Sequence, residues 1–200
     1  MTRLPTIGIT VSLDPGARIR PGVEYLYVSR AYARAVHDAG ALPLLVPPDA
    51  DAARAARVCD GFVVTGGGML PTSLAGGVAA PESVGAAEQG RRIAWDRRLL
   101  DCARAERRPL LGVCYGMQLL NLHAGGTLHT DLALAVPRAL DHGGNGRLCE
   151  CVAATAPDGV VEALEAADGA AVLGVEWHPE SDATGPAVYG WLVRRIEERA

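Results

Sequence analysis

The sequence has no apolar run approaching the roughly 20 residues that a bilayer-spanning helix needs, which excludes that mode of membrane attachment. It has no basic excess either: 19 Lys and Arg stand against 23 Asp and Glu, and the arginines are scattered apart from pairs such as Arg91-Arg92 and Arg107-Arg108. A nucleic-acid-binding surface is therefore not expected, and a small molecule or another protein is the expected partner. Internal repeats, low-complexity tracts and linkers are also missing. The 200 residues read as one domain, long enough to bury roughly 70% of the surface that the unfolded chain exposes. The opening Met1-Thr2-Arg3-Leu4-Pro5-Thr6 leads into a short apolar segment and not into a secretion signal, so the expected compartment is cytoplasmic. Five cysteines (Cys59, Cys102, Cys114, Cys149, Cys151) are an odd number and read as reduced thiols, not as a disulfide framework. Cys149 and Cys151 alternate within a strand-like stretch. With no second Cys/His pair nearby, they read as small apolar side chains and not as metal ligands.

What the chain does have is a regular exchange of strand and helix. Thr6-Ile7-Gly8-Ile9-Thr10-Val11 is a β-branched run closed by the turn signal Asp14-Pro15-Gly16. Apolar residues then recur at helical spacing from Tyr25 to Ala39, with Gly40 as a stop. A strand over Leu42 to Val46, a helix over Asp51 to Val58, a strand over Gly61 to Thr65, a helix over Ala86 to Ala105 and a strand over Pro109 to Val113 continue the pattern. Strands that are apolar almost throughout are those of a parallel sheet covered on both faces. The expected fold class is α/β, with a mostly parallel central sheet and flavodoxin-like layering. Towards the C-terminus the reading gives a strand over Arg147 to Ala154, a short helix after Pro157-Asp158-Gly159, a strand over Ala171 to Glu176 and a last helix over Gly185 to Glu198. The Gly/Ala-rich stretch from Ser73 to Gly85 reads as a long surface loop and a lid candidate.

Three segments carry chemistry. The first is Gly112-Val113-Cys114-Tyr115-Gly116, an apolar strand turning through Gly-x-Cys-x-Gly into a helix, as in a nucleophile elbow with sulfur in place of oxygen. Glycines on either side give the strand and helix room to approach, and the helix N-terminus favours a thiolate at Cys114. The second is Trp177-His178-Pro179-Glu180, where extended spacing lets Glu180 bind one ring nitrogen of His178 while the other faces the sulfur. The third is Thr65-Gly66-Gly67-Gly68 at the end of a sheet strand, where the N–H of Gly67 and that of Tyr115 form a candidate oxyanion hole. His37, His123, His129 and His142 read as surface or packing residues.

Together these segments resemble the class I glutamine amidotransferase superfamily, and within it most closely the γ-glutamyl-γ-aminobutyrate hydrolase family. The resemblance runs from Pro5-Thr6-Ile7-Gly8 through Asp60-Gly61-Phe62-Val63-Val64-Thr65-Gly66-Gly67, the elbow, and Gly125-Gly126-Thr127-Leu128 to the His178-Pro179-Glu180 segment. It implies a Cys114, His178, Glu180 triad that cleaves a γ-glutamyl amide through a glutamyl thioester, releasing glutamate and an amine. Gly67 and Tyr115 would hold the oxyanion, with Gln118 and Gly66 on the glutamyl side. The implied partner is a small γ-glutamyl substrate or glutamine, and no metal or organic cofactor is implied.

The chain also departs from that family. Tyr115 stands where an arginine is usual, and the elbow is more like that of GMP synthetase glutaminase domains. Met69 stands in place of an aspartate, Ile93 follows Arg92 where an Arg-Asp pair is expected, and Glu176 replaces a glutamine. Between Leu132 and Leu148 there is no room for the family's hairpin and its Asn-Ser-x-His-His-Gln segment, of which only His142 remains. These differences keep two alternatives open: a glutaminase subunit that supplies ammonia to a separate synthase, and a catalytically silent binding protein. They also suggest that the glutamyl half of the substrate is retained while the amine half differs.

Overall fold

The computed structural model describes residues 3–17, 19–68, 70, 86–128 and 152–199, of which 86–88 as backbone only. Met69, the Ser73 to Gly85 stretch, His129, the segment from Leu132 to Leu148 with His142, and Cys149 and Cys151 lie outside the described residues.

Nine strands and five α-helices are described. In chain order they are β1 (Thr6–Thr10), β2 (Ser12–Asp14), β3 (Tyr25–Tyr27), α1 (Arg30–Asp38), β4 (Leu42–Val46), α2 (Ala52–Val58), β5 (Gly61–Val64), α3 (Ala86–Ala105), β6 (Leu110–Val113), α4 (Tyr115–His123), β7 (Val152–Thr155), β8 (Val161–Glu165), β9 (Val172–Val175) and α5 (Gly185–Glu197). A 3-10 turn, Pro179–Ser181, precedes α5. Seven strands form one sheet in the order β4-β1-β5-β6-β9-β8-β7. Its first five are mutually parallel, while β8 runs antiparallel to both β9 and β7. Taken in sequence order, those five parallel strands lie 2-1-3-4-5, the flavodoxin-like winding expected from the strand-helix rhythm.

The sheet separates two cores, because alternate residues of each strand point to opposite faces. Phe62, Val64 and Leu110 pack on one side with α2, α3 and α4. Ile7, Ile9, Val63, Leu111 and Val113 pack on the other with α1 and α5. Burial on both faces explains why these strands read as continuous apolar runs.

Two expected elements are different in the structure. The helix expected from Tyr25 is a helix only from Arg30, where Ser29 caps it by accepting from the Ala31 N–H at 3.2 Å. Tyr25-Leu26-Tyr27 instead pairs antiparallel with β2 as a small ribbon, and periodicity does not register a partner that far upstream. The short helix expected after Pro157-Asp158-Gly159 is strand β8. Gly159 takes a left-handed φ of +85° and turns β7 back onto β8 as a hairpin. Val161, Ala163 and Leu164 mimic helical spacing, but here they are buried on a strand that lies between β9 and the edge strand β7.

Candidate active site

The C-terminal ends of three adjacent strands, β5, β6 and β9, converge on one point. From β6 comes Cys114, whose φ of 51° and ψ of −110° place it in a region that side chains rarely occupy. Such a backbone costs about 1–3 kcal/mol and persists where the surroundings enforce it. The enforcement is visible: the Cys114 N–H donates to Val175 O at 2.8 Å, and the Cys114 carbonyl accepts from the Gln118 N–H at 3.0 Å to start α4. Glycines on either side are obligatory by space. A Cβ on Gly112 would lie 2.6 Å from the Gly116 backbone, and one on Gly116 would collide with the Val64 carbonyl. Strand, turn and helix therefore fit only as the elbow expected from the sequence, with the half-buried Cys114 at its apex.

His178 and Glu180 follow β9. The 3-10 turn begins at Pro179 and folds the chain so that His178 Nδ1 lies 2.7 Å from Glu180 Oε1. Glu180 is 3% exposed and His178 49% exposed, so the carboxylate is inside and the ring reaches outwards. Hydrogen bonding to Cys114, and then to Glu180, pushes the His178 pKa up to about 10 against the opposing effect of burial. The imidazole next to Cys114 therefore carries a proton at neutral pH.

From β5 come Gly66 and Gly67. The Gly66 N–H donates to Tyr32 Oη at 2.9 Å. A Cβ on Gly66 would sit 2.8 Å from His178 Cε1, and one on Gly67 would collide with the Arg92 guanidinium. Tyr32 Oη is also 3.5 Å from His178 Nδ1. Burial, then the nearby Glu180 charge, raises the Tyr32 pKa far above its ordinary value, so its hydroxyl stays protonated.

The structure thus brings together Cys114, His178, Glu180, Gly66 and Gly67. It puts the backbone N–H of Tyr115 in the first turn of α4, among the amides that have no acceptor within the helix. The Tyr115 side chain points elsewhere. It is 1% exposed, and its hydroxyl donates to Asp96 Oδ2 at 2.9 Å. The substitution that set this elbow apart from its relatives therefore lies in the core and not on the substrate face. Gln118 is buried one turn along α4 and donates to Glu176 Oε1 at 2.8 Å, which engages its amide within the protein. Among the described residues no cluster of three or more His, Cys, Asp or Glu is placed to hold a metal. No described helix is long and apolar enough to cross a membrane.

The sequence motifs do not single out Tyr32, Asp96 or Tyr189, and mark Arg92 only by its neighbour. All four are buried around the site. The spacing Arg92 to Asp96, one helical turn, was the available signal for two of them, since it places a cation and an acid on one face.

Residues 5–147 and 149–180 match the family profile described as Peptidase C26. A Mycobacterium tuberculosis protein with a provisional glutamine amidotransferase name is 30% identical over 221 residues, covering 88% of this chain and 70% of that protein. Protein NtpR of Enterococcus hirae is 26% identical over 240 residues, covering 96% of this chain and 100% of that one. Among solved structures, a Thermoplasma acidophilum protein provisionally described as part of a GMP synthase is similar in fold. Its TM-score is 0.65 at 16% identity, over 100% of this chain and 97% of that one.

Proposed function

The chain belongs to the Peptidase C26 family, and from that premise we propose that it is a cysteine-dependent hydrolase of γ-glutamyl amide bonds. The observation that carries the reading is the meeting of Cys114, held at a φ of 51°, with a His178 that hydrogen-bonds it and is oriented by Glu180 at 2.7 Å.

In this reaction the Cys114 thiolate attacks the γ-carbonyl carbon, and the carbonyl electron pair moves onto oxygen. The N–H groups of Gly67 and Tyr115 receive that oxyanion. As the tetrahedral species collapses, the C–N bond breaks and His178 passes its proton to the departing amine. A γ-glutamyl thioester remains on Cys114. Neutral His178 then takes a proton from water, hydroxide adds to the thioester carbon, and collapse releases glutamate and restores the thiolate with its imidazolium. Glu180 keeps the Nδ1 proton of His178 in place throughout and stabilises the imidazolium. Among the substrates, γ-glutamylated amines are favoured by the resemblance to the γ-glutamyl-γ-aminobutyrate hydrolases.

A second reading, a glutaminase subunit feeding ammonia to a separate synthase, is supported by the elbow Gly-Val-Cys-Tyr-Gly-Met-Gln at positions 112–118. Its Tyr115 is built into the core by the Asp96 hydrogen bond. Assaying the isolated protein for glutamate release from glutamine and from a panel of γ-glutamyl amines separates the two. Turnover of γ-glutamyl amines supports the hydrolase, and weak turnover of glutamine alone favours the glutaminase. Cleavage of either substrate by a Cys114→Ala variant overturns both.

A further inference from the structure

We infer that Arg92 is a positioning residue that aims the Gly67 N–H into the site and ties it to Tyr115, so that the two oxyanion donors act as one unit. This rests on the hydrolase reading above. Arg92 is 1% exposed and sits on α3 beneath the ends of β5 and β6. Its Nη1 donates to Ser12 Oγ at 2.7 Å, and its Nη2 to Thr65 O at 3.0 Å and Thr65 Oγ1 at 3.1 Å. Both terminal nitrogens also reach the Gly66 carbonyl at 3.4 Å. Its Nε donates to Asp96 Oδ2 at 3.3 Å, and the same carboxylate oxygen accepts from Tyr115 Oη. The guanidinium lies over the Tyr115 ring, 4.2 Å from its centre.

Peptide geometry turns those contacts into a consequence for the site. The Gly66 carbonyl and the Gly67 N–H belong to one planar trans peptide and point in opposite directions. Holding the carbonyl down towards the buried guanidinium therefore directs the N–H away from the core. Between two glycines this peptide is otherwise free to rotate, since neither residue has a Cβ to restrict it. The Tyr115 backbone is held from the same place, through the ring under the guanidinium and the hydroxyl on Asp96. A buried cation is costly to keep, and among the described residues Asp96 is the one acid paired with it. Here it is retained where both donors of the anion site need a fixed separation.

The test compares wild type with Arg92→Lys and Arg92→Met on γ-glutamyl-p-nitroanilide, alongside alkylation of Cys114 by iodoacetamide, a reaction that forms no oxyanion. Losing an oxyanion donor costs roughly 10²–10³ in kcat in well-studied cases. Both variants should lose about 10²-fold in kcat with KM within about threefold and with an unchanged alkylation rate. Lysine keeps the charge but not the fork, so it should fail as methionine does. Unchanged kcat, or alkylation falling in parallel with turnover, overturns the inference. If the Arg92 variants do not fold, Ser12→Ala removes only the 2.7 Å contact. It should lower kcat in the same sense, and an unaltered kcat overturns the inference. A wild-type protein that alkylates normally yet cleaves no γ-glutamyl amide overturns the hydrolase reading, and this inference with it.

Discussion

Glu180 Oε1 lies 2.7 Å from His178 Nδ1, and the pair spans the boundary between core and solvent, with Glu180 buried and His178 half exposed. A buried carboxylate that orients an exposed ring acts through the ring and not on substrate. Glu180→Gln keeps the volume but removes the charge that favours the imidazolium. It should cut kcat by up to about 10⁴-fold, the loss seen when the acid of a Ser-His-Asp triad is made an amide. The check is steady-state kinetics on a γ-glutamyl amide, with a thermal melt to show that the fold persists.

The second expectation concerns pH. The folded His178 pKa, about 10, lies above the ordinary value of 6.5, so the fold binds the protonated ring more tightly than the unfolded chain does. The stability this contributes is complete below about pH 6.5 and is lost as pH rises through about 10. Activity that depends on the imidazolium should fall along the same alkaline limb. Since Cys114 is the largest cause of the shift, Cys114→Ala should move the His178 titration down. Following the ring Cε1–H by NMR in both proteins decides it, and a titration near 6.5 in each would contradict the coupling.

Backbone strain at Cys114 gives a third expectation. At a φ of 51° and ψ of −110° alanine is as strained as cysteine, whereas glycine is not. Cys114→Gly should therefore be more stable than Cys114→Ala by about 1 kcal/mol, after allowing for the greater freedom of glycine in the unfolded chain. Denaturant melts of the two inactive variants measure the difference. A less stable Cys114→Gly would show that the turn stores no strain.

The legible parts of this molecule were those whose reasons are local. The strand β4 over Leu42–Val46 and the helix α2, capped by Asp51 through the Arg54 N–H at 2.9 Å, follow from apolar runs and a cap. The elbow was legible because Gly112 and Gly116 are dictated by close backbone approach. Other features have reasons far off along the chain. Arg92 meets Ser12 80 residues away, and Gly66 meets Tyr32 34 residues away. No periodicity encodes such partners. The strand β8 reads as a helix because Val161, Ala163 and Leu164 satisfy helical spacing as readily as a strand whose pairing with β7 shifts register twice. Its antiparallel pairing with β9 decides the outcome.

Two tyrosines packed near Glu180 should respond differently to losing a hydroxyl. Tyr32 Oη accepts the Gly66 N–H at 2.9 Å, so Tyr32→Phe leaves that donor without its acceptor beside the glycine turn. A buried donor left unpaired costs about 1–3 kcal/mol. The same change frees the segment that carries Gly67, so turnover should fall as well. Tyr189 Oη is buried without a hydrogen-bond partner among the described residues, and burial, with Glu180 and then Tyr32 nearby, raises its pKa far beyond the ordinary range. Replacing it by phenylalanine removes a polar atom that gains nothing from being inside, so Tyr189→Phe should cost less stability than Tyr32→Phe and leave kcat closer to wild type. Denaturant unfolding and kinetics on both variants rank them. Equal losses would mean that the Gly66 hydrogen bond does not set the position of the glycine turn.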